Sequence, residues 1–231
     1  MVMKNGILAV NKPEGISSAR VVAQVKKILN AKKVGHTGTL DPFATGLLLC
    51  AVNQGTRISR FFLGSDKDYR AKIHLGSVTD TYDRTGEIVR RVSQEDVARL
   101  STDRIAAVLA SFKGRQLQVP PRYSALKHKG TPLYKLARQG KQVEKPPRPI
   151  EIYRIHLCEI ALPYLDIQLS CSSGTYVRSI AYDLGEKLGC GAHLAELCRT
   201  RSGLFSLDQA VELAELETLA PDAAAQNIHP M

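Results

Sequence analysis

The chain has 231 residues, 44% hydrophobic and 23% charged, an ordinary globular composition that excludes a largely disordered protein. Its 32 Lys and Arg against 22 Asp and Glu leave a net charge of +10, which suits a polyanionic partner as well as it suits simple solubility. No apolar run reaches the roughly 18–20 residues that span a bilayer, and the stretch Met1 to Val10 is too short for a secretory signal, so a soluble cytoplasmic protein is expected, with no membrane partner.

In chain order, Gly6 to Val10 predicts a short strand and Asn11-Lys12-Pro13-Glu14-Gly15 a turn. Ser17 or Ser18 can cap a helix running to about Asn30, with Val21, Val22, Val25, Ile28 and Leu29 on one face. Lys32 to Gly46 reads as loop, Leu47 to Val52 as a buried strand, and Gly55 to Leu63 as a short helix. Tyr69, Ala71, Ile73 and Leu75 alternate with polar residues and predict a half-buried strand. A polar loop follows over Thr79 to Gly86, then one or two helices over Ser93 to Phe112. Ile150 to Ile160 and Tyr164 to Cys171 read as a strand pair joined near Pro163. Gly174 to Leu188 reads as a helix broken by Gly189-Cys190-Gly191, and a further helix is expected from about His193 to Arg199. Leu207, Val211, Leu213, Leu216 and Leu219 then predict an acidic surface helix at about 207–220. Strands and helices interleave irregularly, so the fold class is mixed α/β or α+β.

The charge is concentrated. Between Phe112 and Ile150 stand ten basic residues, among them Arg122, Lys127, Lys129, Lys135 and Arg138, and one acid, Glu144. The stretch at about 113–149 reads as an insertion: a solvated loop, or an arm that grips a phosphate backbone while Tyr123 and Tyr134 stack on bases. Clustering favours the arm, because solubility needs no clustering. No helix-turn-helix or finger pattern appears, so DNA is not the expected partner.

The five cysteines, Cys50, Cys158, Cys171, Cys190 and Cys198, form no CxxC pair and read mostly as small buried hydrophobes in a reducing compartment. No metal site and no cofactor are expected, since Walker A, GxGxxG, HExxH and EF-hand spacings are all missing. The densest unusual cluster is Gly35-His36-Thr37-Gly38-Thr39-Leu40-Asp41-Pro42-Phe43-Ala44-Thr45-Gly46. Asp41, stiffened by Pro42 just before a buried strand, is a candidate catalytic carboxylate, although an Asp-Pro in a glycine-rich loop also makes an ordinary turn.

Five motifs occur in order: Asn11-Lys12-Pro13-x-Gly15-x-Ser17, the loop Gly35 to Gly46, Lys67-Asp68-Tyr69, Tyr123-Ser124-Ala125-Leu126-Lys127 and Gly174-Thr175-Tyr176-Val177-Arg178. Over about residues 6 to 205 the chain resembles the TruB family, the bacterial tRNA pseudouridine-55 synthases. The resemblance implies a mixed, largely antiparallel central sheet flanked by helices, with 113–149 as a basic thumb closing over the T-arm of tRNA. It also implies a metal-free isomerase acting on the T-loop uridine.

By the same resemblance Asp41 is the essential carboxylate, Tyr69 stacks on the target base, and Arg178 pairs with Asp41. Asp83 is a second partner for that arginine, and Leu197 packs on the uracil. His36 fills the stack vacated by the flipped base, and Lys12 and Pro13 line the floor. Tyr176, Arg122, Tyr123, Lys127, Lys129, Lys135 and Arg138 fall in segments that meet the substrate. Many family members carry a C-terminal RNA-binding module of PUA type. Here one catalytic domain without it is expected, as a monomer. Cys198 stands where relatives often have a second arginine beside the one matched by Arg199, so one phosphate contact is expected to be missing. Two other readings are an RNA-binding or RNA-folding module of the same fold and a guide-RNA-dependent relative.

Overall fold

In a computed structural model, residues 5–124, 126–128, 130–133, 136, 139 and 145–230 are described. Strand β1 (Gly6–Lys12) is buried along almost its whole length, so its sequence is apolar without alternation. Ser17 accepts from the Arg20 amide as N-cap of α1 (Ser18–Ile28), and Lys26 and Lys27 sit in its last turn, against the negative end of the helix. β2 (Val34–His36) pairs antiparallel with β3 (Thr45–Val52), so part of the expected loop is strand. Three residues are too few to show a period; the edge of β3 supplies their backbone partners.

After a 3-10 turn and α2 (Ser59–Leu63) the chain enters β4 (Lys67–Leu75), then the ribbon of β5 (Ser77–Thr79) and β6 (Ile88–Arg91). Ser93 and Ser101 cap two separate helices, α3 (Gln94–Ala98) and α4 (Thr102–Ala110). β7 (Gly114–Gln118) precedes a small hairpin of β8 (Lys127–His128) and β9 (Thr131–Pro132). Next come β10 (Arg148–Ala161), β11 (Tyr164–Cys171) and α5 (Val177–Leu188), which ends on Gly189 at φ 82°. The chain closes with β12 (Ala192–Ser202), β13 (Phe205–Ser206), β14 (Val211–Glu212), α6 (Leu213–Thr218), α7 (Pro221–Ala224) and β15 (Ile228–Pro230).

The chain divides into two compact units, Met1–Tyr69 with Leu197–Met231, and Arg70–Glu196. In the first unit the strand order is β14-β1-β3-β12, with β2 on β3, β13 on β12 and β15 on β1. Among the described residues of that unit, β1–β14 and β3–β12 pair in parallel. Val21 and Val25 of α1, Leu47 to Val52 of β3, and Leu213 and Leu216 of α6 form buried core. In the second unit the order is β4-β11-β10-β7, and α4 packs on β10 and α5 through Ile105 and Leu109. The fold is α+β, with mostly antiparallel pairing.

Three expectations are corrected. His193 to Arg199 is not a helix: it lies inside β12, where Cys198 and Arg199 pair with Thr45 and Gly46. A short apolar run carries no period that separates helix from strand, and here a sheet supplies the hydrogen bonds. The acidic helix shrinks to Leu213–Thr218, because Val211 and Glu212 pair with β1 instead. The insertion is also shorter than 113–149, since Gly114 to Gln118 pairs with Arg148 to Ile152 as regular sheet. Cys50, Cys171 and Cys190 are buried and Cys158 is exposed; burial pushes the Cys50 thiol up to about 12.

Candidate active site

The Asp41 loop is held by side chains that turn its carbonyls into anchors. Lys12 is fully buried, and its Nζ donates to the carbonyls of Pro13 at 2.7 Å, Ile16 at 2.8 Å and Pro42 at 3.1 Å. The Pro42 carbonyl also accepts from the Gly15 amide at 2.8 Å. The turn at Lys12-Pro13-Glu14-Gly15 is thereby tied to the residue after Asp41. Burial lowers the Lys12 ammonium to about 8, against the opposing pull of Asp41 and Glu14. On the other side of the loop, Ser18 Oγ donates to the Leu40 carbonyl at 2.9 Å and accepts from the Leu40 amide at 2.8 Å. Asp41 is half-buried, and its own carbonyl accepts from the Ala44 amide.

Arg199 closes this construction from β12. It is 3% exposed, with Nε donating to the Leu47 carbonyl at 2.7 Å and Nη2 to the Gly38 carbonyl at 3.2 Å. Gly46 lets the two strands meet: a Cβ there would sit 2.4 Å from the Arg199 carbonyl oxygen. Thr45 Oγ1 donates to the carbonyl of Leu197, which is buried on β12. His36 Nδ1 accepts from the Gly38 amide at 3.4 Å, and burial, then Arg199, holds its imidazolium below the usual range.

Tyr69 is fixed by its two predecessors. Lys67 is buried and donates to the carbonyls of Leu63 and Ser65, tying β4 to the end of α2. Asp68 receives both Nε and Nη2 of Arg201, at 2.6 and 2.9 Å, a bidentate pair. Tyr69 itself is half-buried.

In the second unit Arg178, in the first turn of α5, is 3% exposed. Its Nη1 lies 3.5 Å from Asp83 Oδ2 and donates to the Thr81 carbonyl at 3.0 Å, and its Nη2 donates to the Tyr123 carbonyl at 2.8 Å. Asp83 Oδ1 is taken by the Thr81 hydroxyl, the Thr85 amide and the Thr85 hydroxyl. Tyr82 sits at φ 63° and stacks on Tyr182 at 4.1 Å, 18° from parallel, which holds the Asp83 turn. Gln118 grips the entry of α5: its Oε1 accepts from the Tyr176 amide at 2.8 Å, and its Nε2 donates to the Tyr176 carbonyl at 3.0 Å. Beside Tyr182, burial pushes the Asp183 carboxyl up to about 6; Lys187 opposes the shift and Glu186 adds to it.

Residues 26–177 match the TruB family pseudouridylate synthase N-terminal domain, and residues 178–231 match the tRNA pseudouridylate synthase B C-terminal domain. The chain belongs to the TruB family. The tRNA pseudouridine synthase B of Geobacter sulfurreducens is 49% identical over 216 residues, covering 94% of this chain and 70% of that protein. That of Francisella philomiragia is 48% identical, covering 94% of this chain and 71% of that protein. That of Clostridium tetani is 46% identical, covering 92% of this chain and 72% of that protein. Among solved structures, a chain of a Cbf5-Nop10-Gar1 complex superposes with a TM-score of 0.75 at 30% identity, over 99% of this chain and 60% of that chain. A chain of an H/ACA RNP bound to a substrate RNA containing 2′-deoxyuridine gives 0.68 at 27%, over 97% of this chain and 62% of that chain. This chain therefore spans about 60% of the length of those solved chains.

Within this TruB framework the first unit gathers Lys12, Pro13, His36, Asp41 and Leu197 around one loop, with Tyr69 on β4. The second unit gathers Arg178, Asp83 and Tyr123, with Tyr176 at the start of α5. Arg122 is exposed near the Tyr82 ring. Lys127 contributes its backbone to β8, while Lys129, Lys135 and Arg138 lie outside the described residues. Arg199, beside Cys198, is buried, and its guanidinium donates to two carbonyls. Sequence reasoning missed Gln118, Asp68 with Arg201, and the Tyr82–Tyr182 stack. The one available signal was that Asp68 stands inside the Lys67-Asp68-Tyr69 motif. Among the described residues no group of three or more His, Cys, Asp or Glu is placed to hold a metal ion, and no helix is long and apolar enough to cross a membrane.

Proposed function

We propose that the protein is a tRNA pseudouridine synthase that isomerises the uridine at position 55 of the T-loop. The observation that carries this reading is 46–49% identity to proteins named tRNA pseudouridine synthase B over 92–94% of this chain. In the reaction the N1–C1′ bond breaks, the uracil turns, and C5 bonds to C1′. C5 loses a proton and N1 gains one, so no electrons enter or leave. Asp41 is the carboxylate that attacks the sugar or base or assists departure, Tyr69 stacks on the uracil, and Arg178 is the buried cation of the Gly174 motif, paired with Asp83.

The target base must leave its stack at a cost of a few kcal/mol, and His36, neutral at pH 7, fills the gap. Leu197 packs on the uracil, and Lys12 and Pro13 hold the floor. Asp83, Tyr123 and Tyr176 support Arg178 and its helix. Arg122, Lys127, Lys129, Lys135 and Arg138 meet the RNA backbone. The protein acts as a monomer in the cytoplasm.

The test is a T-arm hairpin carrying tritium at C5 of its target uridine, assayed in EDTA. Wild type is expected to release tritium to water. Asp41→Asn is expected to lower release by at least about 10³-fold with hairpin affinity within a factor of three. Arg178→Lys is expected to lose about 10²-fold, because an ammonium cannot serve Asp83 and two carbonyls as a guanidinium fork does. Tight binding with no release by wild type would overturn the reading in favour of an RNA-binding module or a guide-dependent relative.

A further inference from the structure

In the second unit a cleft of about 590 Å³ opens between the β5–β6 ribbon, α3 and the turn joining β10 to β11. That volume lies in the range of small-molecule sites. None of the residues assigned above to the uridine lines it. Its floor is apolar, with Leu75 and Val97 buried, while its polar groups converge on one wall. Ser77 Oγ lies 3.1 Å from His74 Nδ1 and 3.3 Å from His193 Nδ1, and His193 Nδ1 lies 3.1 Å from the Ser77 carbonyl oxygen. A carbonyl only accepts, so His193 carries its proton on Nδ1. The Ser77 hydroxyl is then left to donate to His74 Nδ1, and His74 holds its own proton on Nε2.

The His74 ring stands edge-on to Tyr164 with centroids 4.9 Å apart. Burial first, then His193 and Arg91, holds the His74 imidazolium below the usual range, so the ring is a neutral N–H donor near pH 7. Arg91, at the end of β6, pairs with Ser77 through its backbone and is exposed, and its guanidinium makes no hydrogen bond or ion pair among the described residues. No Asp or Glu lines the cleft. A guanidinium and an imidazole N–H without a competing carboxylate select an anion. The apolar floor and the Tyr164 ring select a flat body beside it.

We propose that this cleft binds a nucleotide, its base against the Tyr164–Pro163 wall and its phosphate on Arg91. The nucleotide is either free or an unpaired residue of a bound RNA. The site stands beside the machinery around Arg178. His193 precedes Leu194, whose amide donates to the Tyr82 carbonyl at 3.0 Å and whose carbonyl accepts from the Arg84 amide at 2.9 Å. Those two contacts clamp the turn that carries Asp83.

The experiment titrates the full chain with N-methylanthraniloyl-labelled AMP and follows its fluorescence, a readout independent of isomerisation. Saturable binding is expected, weakened at least tenfold by Arg91→Glu and abolished by Ala98→Trp, which fills the floor from α3. Both positions are exposed, and unchanged circular dichroism confirms that the variants fold. Arg99→Gln, outside the cleft, should bind as wild type. AMP should displace the probe at least tenfold better than adenosine. Displacement by a 5′-phosphorylated RNA tetranucleotide at lower concentration than AMP would assign the site to RNA, and no displacement by it to free nucleotide; both uphold the proposal. No saturable signal up to about 1 mM, a signal unchanged in both cleft variants, or equal competition by adenosine and AMP would overturn it.

Discussion

Arg178 and Lys12 are two buried cations with opposite solutions to desolvation. Arg178 is neutralised by Asp83, and its Nη1 and Nη2 each donate to a carbonyl. Removing one partner of such a pair strands a buried charge. Asp83→Asn is therefore expected to cost about 3 kcal/mol in urea unfolding, and adding Arg178→Met should recover part of that loss. Lys12 is instead solvated by three carbonyls, and burial brings its ammonium down to about 8 from 10.5. Between those values the unfolded chain binds more protons than the folded one, so this residue's contribution to stability rises with pH. The unfolding free energy of wild type, measured against Lys12→Met, should climb between pH 8 and pH 10.5 and be flat below pH 8. A flat difference throughout would mean that Lys12 is not desolvated in the folded protein.

At the scale of elements, the Asp41 loop depends on a strand whose nature the sequence concealed. β12 reads locally as a helix, yet its register beside β3 places Arg199 against the carbonyls of Gly38 and Leu47. Gly46 makes that approach possible at φ 96°, where an L side chain is strained and its Cβ would strike the Arg199 carbonyl. Gly46→Ala should cost about 3 kcal/mol by urea denaturation, and tritium release by the folded fraction should fall with it. On the other unit, Gln118 plays the matching part for α5, since one amide holds both the N–H and the carbonyl of Tyr176. A glutamine ending a strand before two prolines carries no local sign of that duty.

For the whole molecule, the excess of ten positive charges lies almost wholly between Phe112 and Ile150. If about four phosphates are met there, raising salt from 50 to 200 mM should weaken hairpin binding about 10²-fold, as read by filter binding. Charge-neutral variants at Arg122 and Lys127 should flatten that slope without changing the tritium release rate at saturating RNA. A slope unchanged by both would place the phosphate contacts elsewhere.

The sequence by itself determined the family, the candidate carboxylate Asp41 and the sites of charge. Motifs and net charge are written residue by residue and need no partner to be read. It also determined the elements whose own backbone or alternation suffices, namely α1, with Ser17 one of its two candidate caps, and β4, while over Ser93 to Phe112 it left open one helix or two. Tertiary structure alone decided the rest. Whether His193 to Arg199 is helix or strand depends on which neighbour accepts its backbone hydrogen bonds. That Arg199 meets two carbonyls depends on what burial surrounds it with. Those are long-range facts: the partners of Arg199 stand 152 and 161 residues away in the chain, beyond any local period or spacing.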